Sequence, residues 1–153
     1  MNHLPSSFLV VLAFVTLAVG LIFYFVSRRF LFLICKKNGK DAIARNDYKR
    51  AITLLSASER LWGFNVAKQT IPSFENDLAM LDEIYNDLYM VSRSVGVDLD
   101  VTECRECIKA VQSEIQCNIA PGKRLSGNKY VAAVMRLKSA RYNLRSRLRQ
   151  IAR

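Results

Sequence analysis

The sequence predicts an all-α protein, with one N-terminal transmembrane helix followed by a small cytoplasmic bundle of four to five helices. Three observations predict it. Nineteen consecutive residues, Phe8 to Val26, carry no charge. Downstream, apolar residues recur at spacings of three and four, the period of a helix with one buried face. No convincing strand pattern appears anywhere in the 153 residues.

The uncharged run comes first. At a rise of about 1.5 Å per residue it reaches roughly 28 Å, close to the hydrocarbon thickness of a bilayer. A buried core helix of that length normally shows a polar face, and here only Thr16 and Gly20 interrupt the apolar character. A cleaved signal peptide wants a basic start, a shorter apolar stretch and a small-residue cleavage site. The start, MNHLPSS, has no Lys or Arg, and the run ends in Phe-Tyr-Phe-Val. The expectation is an anchor over 8–27 with a short tail, 1–7, on the far side. Arg28, Arg29, Lys36, Lys37 and Lys40 follow the run, so the positive-inside rule places the C-terminal part in the cytoplasm.

Residues 28–40 form a basic juxtamembrane segment, with Arg28 and Arg29 expected to snorkel to headgroups. Asn38-Gly39 offers a helix stop. The cytoplasmic helical domain is expected over 41–153. Asn46-Asp47 predicts a turn, followed by a helix over about Tyr48–Trp62 with Ala51, Leu54 or Leu55, Ser58 and Leu61 on one face. Asp47-Tyr48 with Ala51, Leu55 and Leu61 resembles the turn and second helix of a tetratricopeptide repeat, and Gly39 stands where that repeat wants a small residue in its first helix. The likeness covers about residues 32–65. Asn46 replaces the usual turn glycine, Ser58 stands where alanine is usual, and no proline follows. A generic helical hairpin accounts for the same residues. A lone repeat cannot bury its own face, so the resemblance implies that further helices or another chain cover it. Tyr48, Trp62 and Phe64 are the candidates for docking such a partner, because aromatic anchors often dominate interface energies.

Lys68–Ser73 reads as a loop around Pro72. A long amphipathic helix is predicted from Ser73 to about Val95, with Leu78, Leu81, Ile84, Tyr85, Leu88, Val91 and Val95 as its stripe. Thr102 is expected to cap the next helix, which runs to about Cys117. Residues 120–127 form a basic loop. The last helix is predicted over about Asn128–Ala152, with Tyr130, Val134, Leu137, Leu144, Leu148 and Ile151 inward.

Charge divides unevenly. Residues 28–68 hold ten basic and three acidic groups, residues 69–119 three basic and ten acidic, and residues 120–153 ten basic and none acidic. The acidic middle can balance one basic neighbour, not both. The last helix is therefore expected to pack on the acidic helices and to turn Lys138, Arg145, Arg149 and Arg153 to anionic headgroups or an acidic partner. Each Lys or Arg near an anionic surface contributes roughly 1 kcal/mol.

Chemistry is poorly supported. Cys104 and Cys107 have the spacing of a metal or redox pair, but a structural zinc site needs four ligands and only Cys117 is nearby. Spaced by three on a helix, the two cysteines share a buried face, and in a reducing compartment they are thiols. Gly122 to Lys129 nearly spells a phosphate-binding loop, yet Asn128 sits at the lysine position and no strand precedes it. The single histidine, His3, lies across the expected membrane. No catalytic residue, metal or cofactor is expected. The reading is a non-enzymatic membrane-anchored adaptor or accessory subunit with a protein partner. The alternative is a membrane-tethered nucleic-acid binder, for which only Tyr130 and Tyr142 supply aromatics in the basic helix.

Overall fold

The computed structural model describes residues 6–62, 71–118 and 128–151. Five helices follow in order: α1 (Ser6–Ala44), α2 (Tyr48–Leu61), α3 (Ile71–Ser94), α4 (Thr102–Asn118) and α5 (Asn128–Ile151). There is no strand among the described residues. Phe64, Arg153, the loop over 120–127 and residues 68–70 of the expected Lys68–Ser73 loop lie outside them, as do residues 1–5 of the tail; the other half of that expected loop, 71–73, is instead the first turn of α3.

The anchor and the first helix of the hairpin are one element. α1 runs unbroken for 39 residues, about 58 Å. The expected stop at Asn38-Gly39 is thereby corrected. Gly39 is buried against α2, and a Cβ there would lie 2.9 Å from both Cγ and Cδ2 of Leu55. Glycine serves here to let two helices approach, not to end one. The break comes later, at Asn46, whose φ of 59° is left-handed. Asparagine tolerates that region better than most residues. Asp47 then caps α2, its carboxylate accepting from the Arg50 N–H at 3.2 Å.

α2 returns antiparallel along α1. The Arg28 Nε donates to the Leu61 carbonyl at 2.9 Å, the Ser58 hydroxyl to the Phe32 carbonyl at 3.2 Å, and Leu55 covers Gly39. α3 begins with Pro72 in its first turn, where a missing N–H costs nothing. It ends in a Schellman motif. Gly96 is left-handed (φ 74°), Val97 N–H donates to the Ser92 carbonyl and Gly96 N–H to the Arg93 carbonyl. Asp100, rather than Thr102, supplies the cap of α4, accepting from the Thr102 N–H at 2.9 Å. α5 packs chiefly on α4 and makes a smaller contact with α2.

The core is contiguous. Leu78, Leu81, Ile84, Tyr85 and Leu88 of α3 are fully buried, between Leu55 of α2 and Ile108, Val111 and Ile115 of α4. Tyr130, Val134, Leu137, Leu144 and Leu148 close it from α5, as their spacing predicts. A smaller cluster of Ala42, Ala51, Ile52 and Val91, with Ile151 against it, seals the far end. The first half of α1 is different. Every described large apolar side chain from Val10 to Val26 is exposed.

Candidate functional site

The least expected residue of the fold is Glu59. Its side chain is completely buried on α2 and holds two arginines of α5. Arg141 Nε donates to Oε1 at 2.7 Å, and Arg145 Nε to Oε2 at 2.6 Å. The same guanidiniums finish the C-terminal turn of α2. Arg141 also donates to the carbonyls of Glu59 and Trp62, and Arg145 to that of Glu59. Four last-turn carbonyls of any helix lack intrahelical partners, and cations suit that end of the dipole. Tyr85 of α3 donates to Oε1 at 3.3 Å, so three helices meet on one carboxylate.

Trp62 roofs this node. Its indole is 5% exposed, its Nε1 donates to the Asp77 carbonyl at 2.9 Å, and the Arg141 guanidinium stacks 4.5 Å from the ring centroid. A cation over an indole face is a favourable pairing. Trp62, expected as a docking anchor, is therefore placed in the core. Tyr48 is half-buried, and its hydroxyl donates to the Asn46 side chain across the α1–α2 turn.

The basic residues after the apolar run are engaged by the bundle. Arg28 binds the end of α2, and Arg29 pairs with the buried carboxylate of Asp77 at 3.4 Å. Lys36 and Lys40 share Glu83 of α3. Together they draw the Glu83 carboxyl below its ordinary value. Lys37 is exposed on the other side. Among the described residues, Asp77 and Glu83 of α3 thus serve the first basic segment, Asp82 pairs with Arg105 of α4, and Arg141 and Arg145 of α5 share Glu59 of α2. Arg145, expected among the outward groups, belongs to that inner pair. Lys138 and Arg149 are exposed, as are Lys129, Arg136 and Arg147.

Cys104 and Cys107 lie in the core as free thiols. Burial pushes the Cys104 thiol up to about 12 and raises Cys107 as well, which disfavours the thiolate that a nucleophile or metal ligand requires. Burial also pushes the Tyr85 phenol well above its usual value. Outside, a cleft of about 520 Å³ runs between α4 and α5, with Glu103, Glu106 and Glu114 on one wall and Lys129 and Arg136 on the other. Among the described residues no group of three or more His, Cys, Asp or Glu side chains is arranged to hold a metal ion.

One sequence signal marked the node. Glu59 is the only acid between Asp47 and Glu75, and Arg141 and Arg145 stand four apart beside the apolar stripe of α5. Compared with family models, curated proteins and solved structures, the chain shows no match.

Proposed function

We propose that the chain is a single-pass membrane-anchored adaptor or accessory subunit. Its N-terminus is outside, its bundle cytoplasmic, and its function non-enzymatic binding at the membrane face. One observation carries the reading. A single continuous helix exposes all its described large apolar side chains over Val10–Val26 and is built into the bundle over Arg28–Ala44. A helix long and apolar enough to cross a membrane, with none of its apolar window buried by the protein, is suited to lipid on all sides. Because no joint separates the two halves, a bundle so attached keeps a fixed orientation relative to its anchor. That suits a part that presents a surface to a neighbour rather than one that searches for it. The tetratricopeptide-like hairpin over 32–65 fits the same role, although its aromatic Trp62 faces inward.

Nucleic acid is a poorer occupant of the basic helix. Of its two tyrosines, Tyr130 is buried and only Tyr142 is available to stack on a base.

The test is topological. Membranes from cells expressing the full chain are extracted with alkaline carbonate and, separately, treated with protease while intact. The chain should stay in the carbonate pellet, and the bundle should survive protease until detergent is added. Release by carbonate, or digestion of the bundle without lysis, contradicts the anchor or its orientation.

A further inference from the structure

Outside α1, the exposed large apolar residues among those described are Met90, Val131, Met135 and Tyr142. Three of the four lie on α5, and their spacing of four and seven puts them in one line with Lys138 between. This line borders the Glu59 node on one side and faces away from the stripe that packs on α4. No acid stands anywhere in residues 120–153.

Its position follows from three registers. α1 and α2 are antiparallel, because Arg28 meets Leu61 while Gly39 meets Leu55. α5 and α2 are antiparallel too, because Arg141 meets Glu59 and Trp62 while Ile151 packs against the cluster of Ile52. Travelling from Tyr142 back to Val131 therefore leads past the end of α2, in the direction in which α1 runs toward its apolar half. Those eleven steps cover about 16 Å. Met90 lies elsewhere, four residues before the end of α3 that closes the opposite pole with Val91.

The apolar surface of α1 adds a second observation. It does not stop at Arg28 and Arg29. Phe30, Leu31, Leu33 and Ile34 are exposed as well. From Val10 to Ile34 the exposed apolar surface extends about 36 Å, more than the roughly 30 Å of a bilayer core. A helix that is too long tilts, which lowers the attached bundle toward the surface.

We propose that α1 is tilted in an anionic bilayer so that the flank Val131–Met135–Lys138–Tyr142 rests in the headgroup layer of the same bilayer. The proposal rests on the anchor reading and deepens it by choosing lipid over an acidic protein. Val131 and Met135 would enter the boundary between headgroups and acyl chains, as on an interfacial amphipathic helix. Tyr142 suits the interface, with an apolar ring and a hydroxyl that stays wet. Lys138 meets phosphate. Contact should fade along α5, and Arg149, two turns further on, should remain in water.

The experiment uses the full chain reconstituted in vesicles of phosphatidylcholine, with or without phosphatidylglycerol, some containing acyl-brominated lipid. Met135→Trp reports the flank, Met90→Trp the opposite pole, and buried Trp62 gives a constant background. In anionic vesicles the added emission of Met135→Trp should be blue-shifted and quenched by brominated lipid, and that of Met90→Trp should not. Adding Lys138→Gln should lower the docked-to-undocked ratio about fivefold, the effect of roughly one charge at an anionic surface. Met135→Trp behaving like Met90→Trp in a chain that resists carbonate extraction overturns the proposal and leaves the anchor standing. Equal quenching in neutral vesicles, unmoved by Lys138→Gln, overturns the choice of anionic lipid. Shielding from aqueous iodide only on addition of polyglutamate, without quenching from lipid, assigns the flank to an acidic protein and also overturns it. If carbonate extracts the chain, both readings fall.

Discussion

From Val10 to Val26, α1 presents apolar side chains all round and meets no other helix of the bundle through them; from Arg28 to Ala44 the same helix divides into two faces. One face gives Phe32, Gly39 and Ala42 to the core, and Arg28, Arg29, Lys36 and Lys40 to α2 and α3. The difference shows what each half is for. On the proposed anchor reading, the first half is solvated by lipid. The second is a structural member of the bundle, held by contacts that water alone does not supply.

This contrast can be broken at several points. The largest effect belongs to the carboxylate that fixes α5 beside the second half. Glu59→Gln leaves Arg141 and Arg145 without their partner in a buried setting. Breaking such a pair costs about 3–5 kcal/mol, enough to consume a large part of a small domain's stability. Thermal unfolding of the full chain in mild detergent should show it. The double variant Glu59→Gln with Arg141→Gln should cost less than the sum of the two single changes, because the residues act as a unit.

The two helical glycines sharpen the comparison directly. Gly39→Ala sets a Cβ 2.9 Å from Leu55, and overpacking of this kind costs about 1–3 kcal/mol against about 0.5–1 kcal/mol gained in helix propensity. A net loss near 1 kcal/mol is expected. Gly20→Ala meets nothing within 4 Å and should leave the melting temperature of the bundle unchanged or slightly higher. Arg28→Gln, which loses a charged donor to the Leu61 carbonyl at a half-buried site, should cost about 1 kcal/mol in the same assay.

The smallest effect is one of pH. Lys36 and Lys40 hold the Glu83 carboxyl below the ordinary carboxylate value of 4.5. A depressed native pKa contributes stability that is complete above the unfolded value and is lost as pH falls through the native one. The melting temperature should therefore hold from neutrality down to about pH 5 and fall below it, and Glu83→Gln should flatten part of that fall. Asp87 works against this trend, since burial raises its carboxyl and protonation relieves that cost. The Glu83 side chain is also 41% exposed, so a drop of a few degrees is the scale to look for.

Much of this fold was legible in the sequence. Four of the five helices, α2 to α5, have nearly the expected limits, which follow from apolar period and from local chemistry at their ends, such as Asp47 and Gly96; the limits of α1 were not foreseen. Local chemistry misled where a tertiary contact outweighed it. Gly39 reads as a stop because a glycine has weak helix propensity, and α1 continues because Leu55 needs the space. Charged groups were harder to place. Arg141 and Arg145 look like surface residues by composition, and they turn inward only because Glu59 waits on a helix some eighty residues earlier in the chain. Trp62 looked open for a partner while the helices that cover it had not been positioned. The flank of Val131, Met135 and Tyr142 hides in plain periodicity, since its members read as spare apolar residues until the buried stripe is known.

The central claim, that one unbroken helix is lipid-solvated in its first half and part of the bundle in its second, is tested most directly by an accessibility scan along α1. Single nitroxide labels from Val10 to Ala44, in the full chain reconstituted in anionic vesicles, are read for oxygen and for a water-soluble paramagnetic reagent. The account requires uniformly high oxygen and low reagent access at every position from Val10 to Val26. From Arg28 on it requires a helical period, with Phe32 and Ala42 shielded from both and Lys37 and Asp41 open to the reagent. A helical period of shielding that begins before Val26, or reagent access throughout that stretch, would contradict it.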